Sequence, residues 1–190
     1  MKPTDYSKHK TLEEVVDSLY GNMASEHTIK RNECIANAAK QCVSAMELGV
    51  FQGSCLALIY CNLKPPKKMF GVDIKIGPYN NGGLKQLFEE YSQRNGYEAP
   101  TILEKSSIDP VTVKNVDFLH IDSLHRANHL MKELNLHSSN VNKYIAFHDI
   151  NQNNNELGKV VKSFVEKNPQ WVIAEYYDKG KCGHALIERK

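Results

Sequence analysis

The residues best suited to chemistry fall at four points of the chain, and each follows a short apolar run. The first is Glu47-Leu-Gly-Val-Phe-Gln-Gly-Ser54. Gly49 and Gly53 let the main chain turn tightly and approach a ligand with no Cβ in the way. A helix beginning at or just after Ser54 presents N–H groups that favour a carboxylate or phosphate. Glycines so spaced can equally make a tight turn and nothing more. The second is Asp73, which ends the run Gly-Val-Asp 20 residues after Gly53. An acidic residue there can accept hydrogen bonds from ribose hydroxyls, or it can cap the segment that follows. The third is Asp122-Ser-Leu-His125 and the fourth is Asp149. A histidine is suited to taking a hydroxyl proton near neutral pH. Asp122 and Asp149 end neighbouring strand candidates, so their carboxylates can share a divalent ion. Such oxygen ligation points to magnesium or a similar hard cation.

Plainer readings stay open for these residues. Asp122 can cap a helix starting near Arg126, with His125 in its first turn. His125 and His129 have the spacing of a zinc pair, but no third ligand is evident and surface histidines are the expectation. His120 and His148 lie within or at the ends of strands and read as core or near-site residues. The glycine pattern also limits the ligand. A dinucleotide loop wants G-x-G-x-x-G, yet from Gly49 the second and third positions are Phe51 and Ser54. Glu47, two residues before Gly49, repels pyrophosphate and suits a cationic amino-acid-type ligand.

The elements that must hold these residues alternate. Thr11 and Glu14 form a capping box before Leu12, Val15, Val16 and Leu19, with Gly21 as a stop. A second helix fits from about Thr28. From Val43 the periodicity changes. Val43–Val50, Met69–Ile74, Thr101–Leu103, Val116–Ile121 and Tyr144–Phe147 read as strands. Helices fit Ser54–Asn62, Gly83–Tyr91, Arg126–Leu136 and Glu156–Lys167. Trp171–Tyr176 and His184–Ile187 follow as two strands joined by the turn Asp178-Lys-Gly, and the asparagine run Asn151–Asn155 reads as a loop. The expectation is a single α/β domain over residues 1–190. It has a Rossmann-like, doubly wound and mostly parallel seven-stranded sheet, an antiparallel edge strand and helices on both faces. Residues 43–190 form its ligand-binding core, and helices within 1–42 flank the substrate mouth.

Composition narrows the class. The 190 residues are 41% hydrophobic and 24% charged, with a formal net charge of +2. No basic stripe suits nucleic acid or a membrane surface, and no apolar run reaches the length of a span. Met1-Lys-Pro-Thr-Asp-Tyr-Ser lacks an apolar signal segment, so a cytoplasmic location is expected. Five cysteines without a C-x-x-C pair read as free thiols.

Glu47-x-Gly49-x-x-x-Gly53, Asp73, the stretch ending Asp122-x-x-His125 and Phe-His-Asp149 together resemble class I S-adenosylmethionine-dependent methyltransferases. The branch they resemble is the small-molecule O-methyltransferases with an Asp-x-x-His motif, the macrocin-type and cephalosporin-hydroxylase-like proteins. The resemblance covers roughly residues 43–190 and includes the closing Gly-His-Ala-Leu-Ile-Glu. It implies that Glu47, Gly49 and Gly53 surround the methionine part of the cofactor, with Ser54 at its carboxylate and Asp73 on its ribose. Ser106 and Ser107 match the position near the adenine, and Asp122 and His125 face the methyl group. A small-molecule hydroxyl is then the acceptor, a sugar or natural-product-like compound, and Mg2+ held by Asp122 and Asp149 would assist. The chain departs from the pattern at Ser123 (usually glycine), at Asn140-Val-Asn-Lys in place of a Gly-Gly turn, and at Ile150. Other readings stay open: an NAD(P)-type oxidoreductase, a cofactor-binding protein without catalysis, and a hydroxylase-like relative. A homodimer is compatible with any of them.

Overall fold

Short apolar runs become the strands, and the central ones are buried on both faces. They are β1 (Ser44–Leu48), β2 (Lys68–Asp73), β3 (Thr101–Glu104), β4 (Val116–Ile121), β5 (Val141–His148), β6 (Trp171–Tyr177) and β7 (His184–Arg189). In this computed structural model, residues 6, 8–21, 25–81, 84–111, 113, 115–179 and 182–190 are described. The strands form one sheet in the order β3-β2-β1-β4-β5-β7-β6. The first five pair in parallel, and β7 runs antiparallel to both neighbours. The reversed strand thus enters between β5 and β6, one place in from the edge. Every residue of β1 and β4 is buried, as expected of central strands covered on both sides.

The helices are α1 (Leu12–Ser18), α2 (Glu26–Ala39), α3 (Ser54–Asn62), α4 (Gly77–Asn81), α5 (Leu84–Asn95), α6 (Ala127–His137) and α7 (Gln152–Lys167). On one sheet face Leu12, Val15, Ile35, Leu56, Ile59 and Phe88 build a core from α1, α2, α3 and α5. On the other, Leu130, Leu134, Val161, Phe164 and Trp171 pack α6 and α7 against the sheet and β6. Truncating a buried leucine such as Leu56 to alanine would cost about 2–5 kcal/mol. Among the described residues no helix is long and apolar enough to cross a membrane.

Local expectations meet the structure unevenly. Thr11 Oγ1 accepts from Glu14 N at 3.2 Å, while the Glu14 carboxylate takes the amide of Lys10 in place of that of Thr11. β5 begins at Val141, so Val141-Asn-Lys is strand, not turn. The asparagine run is not a loop: α7 already starts at Gln152, with Asn154 and Asn155 at positive φ that asparagine tolerates. α4 has no apolar periodicity to announce it, although Pro78 in its first turn suits a helix start. Gly83 and Gly180, read as a helix start and a turn residue, lie outside the described residues.

Candidate active site

The carboxyl ends of β1, β2, β4 and β5 lie side by side, so the loops that leave them share one rim of the sheet. After β1 the chain turns through left-handed space at Gly49 (φ 91), Phe51 (φ 49) and Gly53 (φ 88). Glycine adopts such angles freely, whereas a phenylalanine there costs about 1–3 kcal/mol. Asp73 offsets that cost, because Phe51 N donates to Asp73 Oδ2 at 2.8 Å. Lys75 N donates to the other carboxylate oxygen at 2.9 Å. Asp73 therefore fastens the end of β2 to the glycine loop, and each oxygen keeps a lone pair for a ligand hydroxyl.

The missing side chains of the two glycines are first of all a packing requirement. A Cβ on Gly49 would lie 2.1 Å from the carbonyl oxygen of Asp122, and one on Gly53 would lie 3.0 Å from the Tyr79 ring. Gly49 thus lets the end of β4 close against the loop, where Asp122 N donates to Leu48 O at 2.8 Å. Gly53 is the N-cap of α3 and brings no side chain to its first-turn N–H groups. Those groups and the helix dipole favour an anion, and Ser54 stands at the first helical position. Three large apolar side chains are exposed on these loops: Phe51 at 46%, Ile74 at 66% and Leu124 at 49%. Between them they give the rim an apolar surface beside polar atoms, the composition of a small-molecule site.

Glu47 points from β1 toward α3 and is the direct register partner of His120 on β4. Their side chains are 1% exposed, with His120 Nδ1 2.9 Å from Glu47 Oε1, and Cys55 Sγ lies 3.6 Å from the same nitrogen. Burial pushes Glu47 above the usual carboxylate range, against the pull of His120. Its Oε2 is buried without a hydrogen-bond partner. Glu47 is thus sealed beneath the loop and not exposed on it.

Across the rim, Asp122, His125, His148 and Asp149 offer ligand atoms that all lie within 4.8 Å of one another. His125 Nε2 is 3.1 Å from Asp122 Oδ1, and its Nδ1 is 3.1 Å from Asp149 Oδ2. His148 Nδ1 stands 3.2 Å from an oxygen of each aspartate. Neither approach has hydrogen-bond geometry, and Nδ1 of His148 and Oδ1 of Asp149 are buried without partners. On its other side His148 Nε2 meets Nη1 of Arg31 from α2. The hydrogen bond from His125 and the close approach of the His148 ring hold Asp122 well below the carboxylate range despite its burial. Asp149 is lowered likewise, by His148 and the Cys182 thiol. His125 is raised above the usual imidazole value, chiefly by its bond to Asp122. For His148, burial favours the neutral ring, but the two carboxylates raise it to about 9. The Arg31 contact opposes that rise, since only a neutral ring with its proton on Nδ1 can accept from the guanidinium.

Other residues singled out in the sequence have partners of their own. Ser107 is buried, and its hydroxyl lies 2.8 Å from His129 Nε2. His129 continues to Glu133 at 3.3 Å and does not join His125 as a metal pair. Ser106 Oγ accepts from Ile108 N at 3.5 Å. His148 proves central to the cluster, and Arg31 was not foreseen: helical periodicity shows which face of α2 is buried, not which distant strand end it meets.

No known family model matches the chain, and no curated protein matches its sequence. Its backbone is similar to many solved structures. One is a putative O-methyltransferase from Klebsiella pneumoniae, with TM-score 0.63, 14% identity, and coverage of 96% of this chain and 90% of that one. An O-methyltransferase from Bacillus cereus in complex with SAH superimposes with TM-score 0.63 at 12% identity, covering 97% of this chain and 93% of its own. The N-methyltransferase NodS from Bradyrhizobium japonicum, in complex with S-adenosyl-L-homocysteine, gives TM-score 0.64 at 8% identity, covering 95% and 99%. At such identities the likeness establishes the fold, and function has to be argued from the site.

Proposed function

We propose that the protein transfers a methyl group from S-adenosylmethionine to a hydroxyl of a small molecule. The observation that carries this reading is the convergence, on one rim, of the uncapped α3 N-terminus, the Asp73 carboxylate and the Asp122–His125–His148–Asp149 cluster. The neighbours with SAH in their structures support it from the side of the fold.

The residues fit the cofactor. The first-turn N–H groups of α3 suit its carboxylate, and the Asp73 oxygens suit ribose hydroxyls. Phe51 and Ile74 offer apolar surface to a flat base. Phe51 also occupies the position where a dinucleotide loop has a glycine, which disfavours the NAD(P) reading. When bound, the cofactor supplies a sulfonium whose methyl group is already activated. What remains for the protein is to align the acceptor oxygen and remove its proton.

Asp122 and His125 are the residues for that task. Both ring nitrogens of His125 face carboxylates, so the resting ring favours the protonated form. To act as base it must lose one proton and turn one nitrogen toward the acceptor. The sign of the pH dependence follows: transfer should rise as pH climbs through a value above the ordinary 6.5 of histidine. Asp122 and Asp149 are also the groups that would hold a divalent cation, which would lower the acceptor hydroxyl's pKa. The imidazoles beside them make this a mixed nitrogen and oxygen set, which suits Mn2+ or Zn2+ better than Mg2+.

The test is formation of S-adenosylhomocysteine on incubation with S-adenosylmethionine and a panel of sugars, phenols and hydroxylated natural-product-like compounds. Turnover with one class is expected, lost in His125→Ala and Asp122→Asn. Unchanged turnover in His125→Ala would remove the general-base role, and turnover undiminished by EDTA would remove the metal.

A further inference from the structure

We infer that Cys34, Glu175 and His184 form a second metal site, for a borderline cation such as Zn2+, with its open coordination position facing the groove between α2 and β6–β7. The three residues come from α2, β6 and β7, so only the fold assembles them. Their ligand atoms all lie within 4.8 Å of one another. His184 Nε2 is 2.7 Å from Glu175 Oε1. The His184 side chain is 3% exposed, and its Nδ1 is buried without a hydrogen-bond partner. Tyr177 stacks on the imidazole, with ring centroids 5.3 Å apart and planes 21° apart, which fixes the ring's direction. Cys34 is buried in the core-facing side of α2, whereas the Glu175 side chain is 45% exposed and leaves a way in. Cys34 and Glu175 both line an open-sided cavity of about 530 Å³.

The donor set argues for the metal's identity. One sulfur, one imidazole nitrogen and one carboxylate oxygen suit zinc and do not suit magnesium or calcium. Three protein ligands leave the fourth tetrahedral position for water or a ligand, as in sites that do chemistry. With metal bonds of roughly 2.0–2.1 Å, a tetrahedral N···O edge is about 3.3 Å. Entry of the ion would therefore replace the present His184–Glu175 hydrogen bond with a small separation of the two groups. The Cys34 thiol proton would be released to solvent as its sulfur binds. The site lies at the same end of the sheet as the Asp122 cluster, since β5 and β7 place His148 directly beside His184, but it draws on none of that cluster's residues.

Titration with Co2+ tests this, because a thiolate ligand gives a sulfur-to-metal charge-transfer band that oxygen and nitrogen ligands do not. One equivalent should develop the band in the unaltered protein, and calorimetry should give one Zn2+ bound at a thiolate site. Cys34→Ser should abolish the band. Glu175→Gln, an exposed change that the fold tolerates, should weaken Zn2+ by at least the roughly 10–100-fold that even outer-shell partners cost. Cys55→Ser should leave both readings unchanged. Absence of the band in the unaltered protein would overturn the assignment. So would a band that survives Cys34→Ser, one that disappears in Cys55→Ser, or Zn2+ affinity unchanged in Glu175→Gln.

Discussion

Replacing Gly49 with alanine tests how the site's two halves are joined. The new Cβ would stand 2.1 Å from Asp122 O, 2.6 Å from its carbonyl carbon and 2.8 Å from Ser123 Cα. The first of these falls some 1.3 Å short of the 3.4 Å at which ordinary contact begins. All three atoms are backbone, so no side-chain rotation relieves them. The left-handed φ of 91 adds about 1–2 kcal/mol of strain for an L side chain. Overpacking adds about 1–3 kcal/mol, and losing the Asp122–Leu48 hydrogen bond about 1 kcal/mol. Together these come to about 3–6 kcal/mol. Gly96 is the control, since it has φ 72 but no atom within 4 Å of its would-be Cβ. Gly96→Ala should cost the strain alone, about 1–2 kcal/mol. Urea unfolding with a common m-value measures both. If Gly49→Ala proved no costlier than Gly96→Ala, the close fit of the β1 loop against the end of β4 would be refuted.

Two further outcomes follow from the buried polar groups. Glu47→Ala leaves His120 buried without its partner and should destabilise the protein by about 1–3 kcal/mol in urea unfolding; a loss below about 0.5 kcal/mol would mean that the pair contributes little. The second concerns pH. His125 is raised, so its contribution is complete below 6.5 and fades as pH rises through the folded value. Asp122 and Asp149 are lowered, so theirs is complete above 3.8 and fades as pH falls through the folded values. Melting temperatures of the unaltered protein and His125→Gln should therefore differ most between pH 3.8 and 6.5 and converge at alkaline pH. A difference that grows above pH 8 would contradict the cluster's electrostatics.

Much of the fold was legible because the central strands are short apolar runs that end in polar residues. Asp73, Asp122 and Asp149 marked in this way the strand ends that share one rim of the sheet. What stayed hidden depends on long-range contact. The Glu47–His120 pair arises from the β1–β4 register, which no local pattern states. Arg31 meets His148 across 117 positions of sequence. Cys34, Glu175 and His184 lie on three elements and share no motif. Gly49 was legible as a turn, but its need to admit the Asp122 backbone was not. The start of α7 was obscured by asparagines, whose local hydrogen bonding usually favours turns.

The most direct measurement is calorimetric binding of S-adenosylhomocysteine to the protein and to Asp73→Ala. One equivalent should bind the unaltered chain. Losing the charged acceptor should weaken binding by about 1.5–3 kcal/mol, roughly 10–150-fold, while NAD gives no comparable heat. Absence of binding at millimolar S-adenosylhomocysteine, or equal affinity in Asp73→Ala, would contradict the proposal that this rim holds the methyl donor.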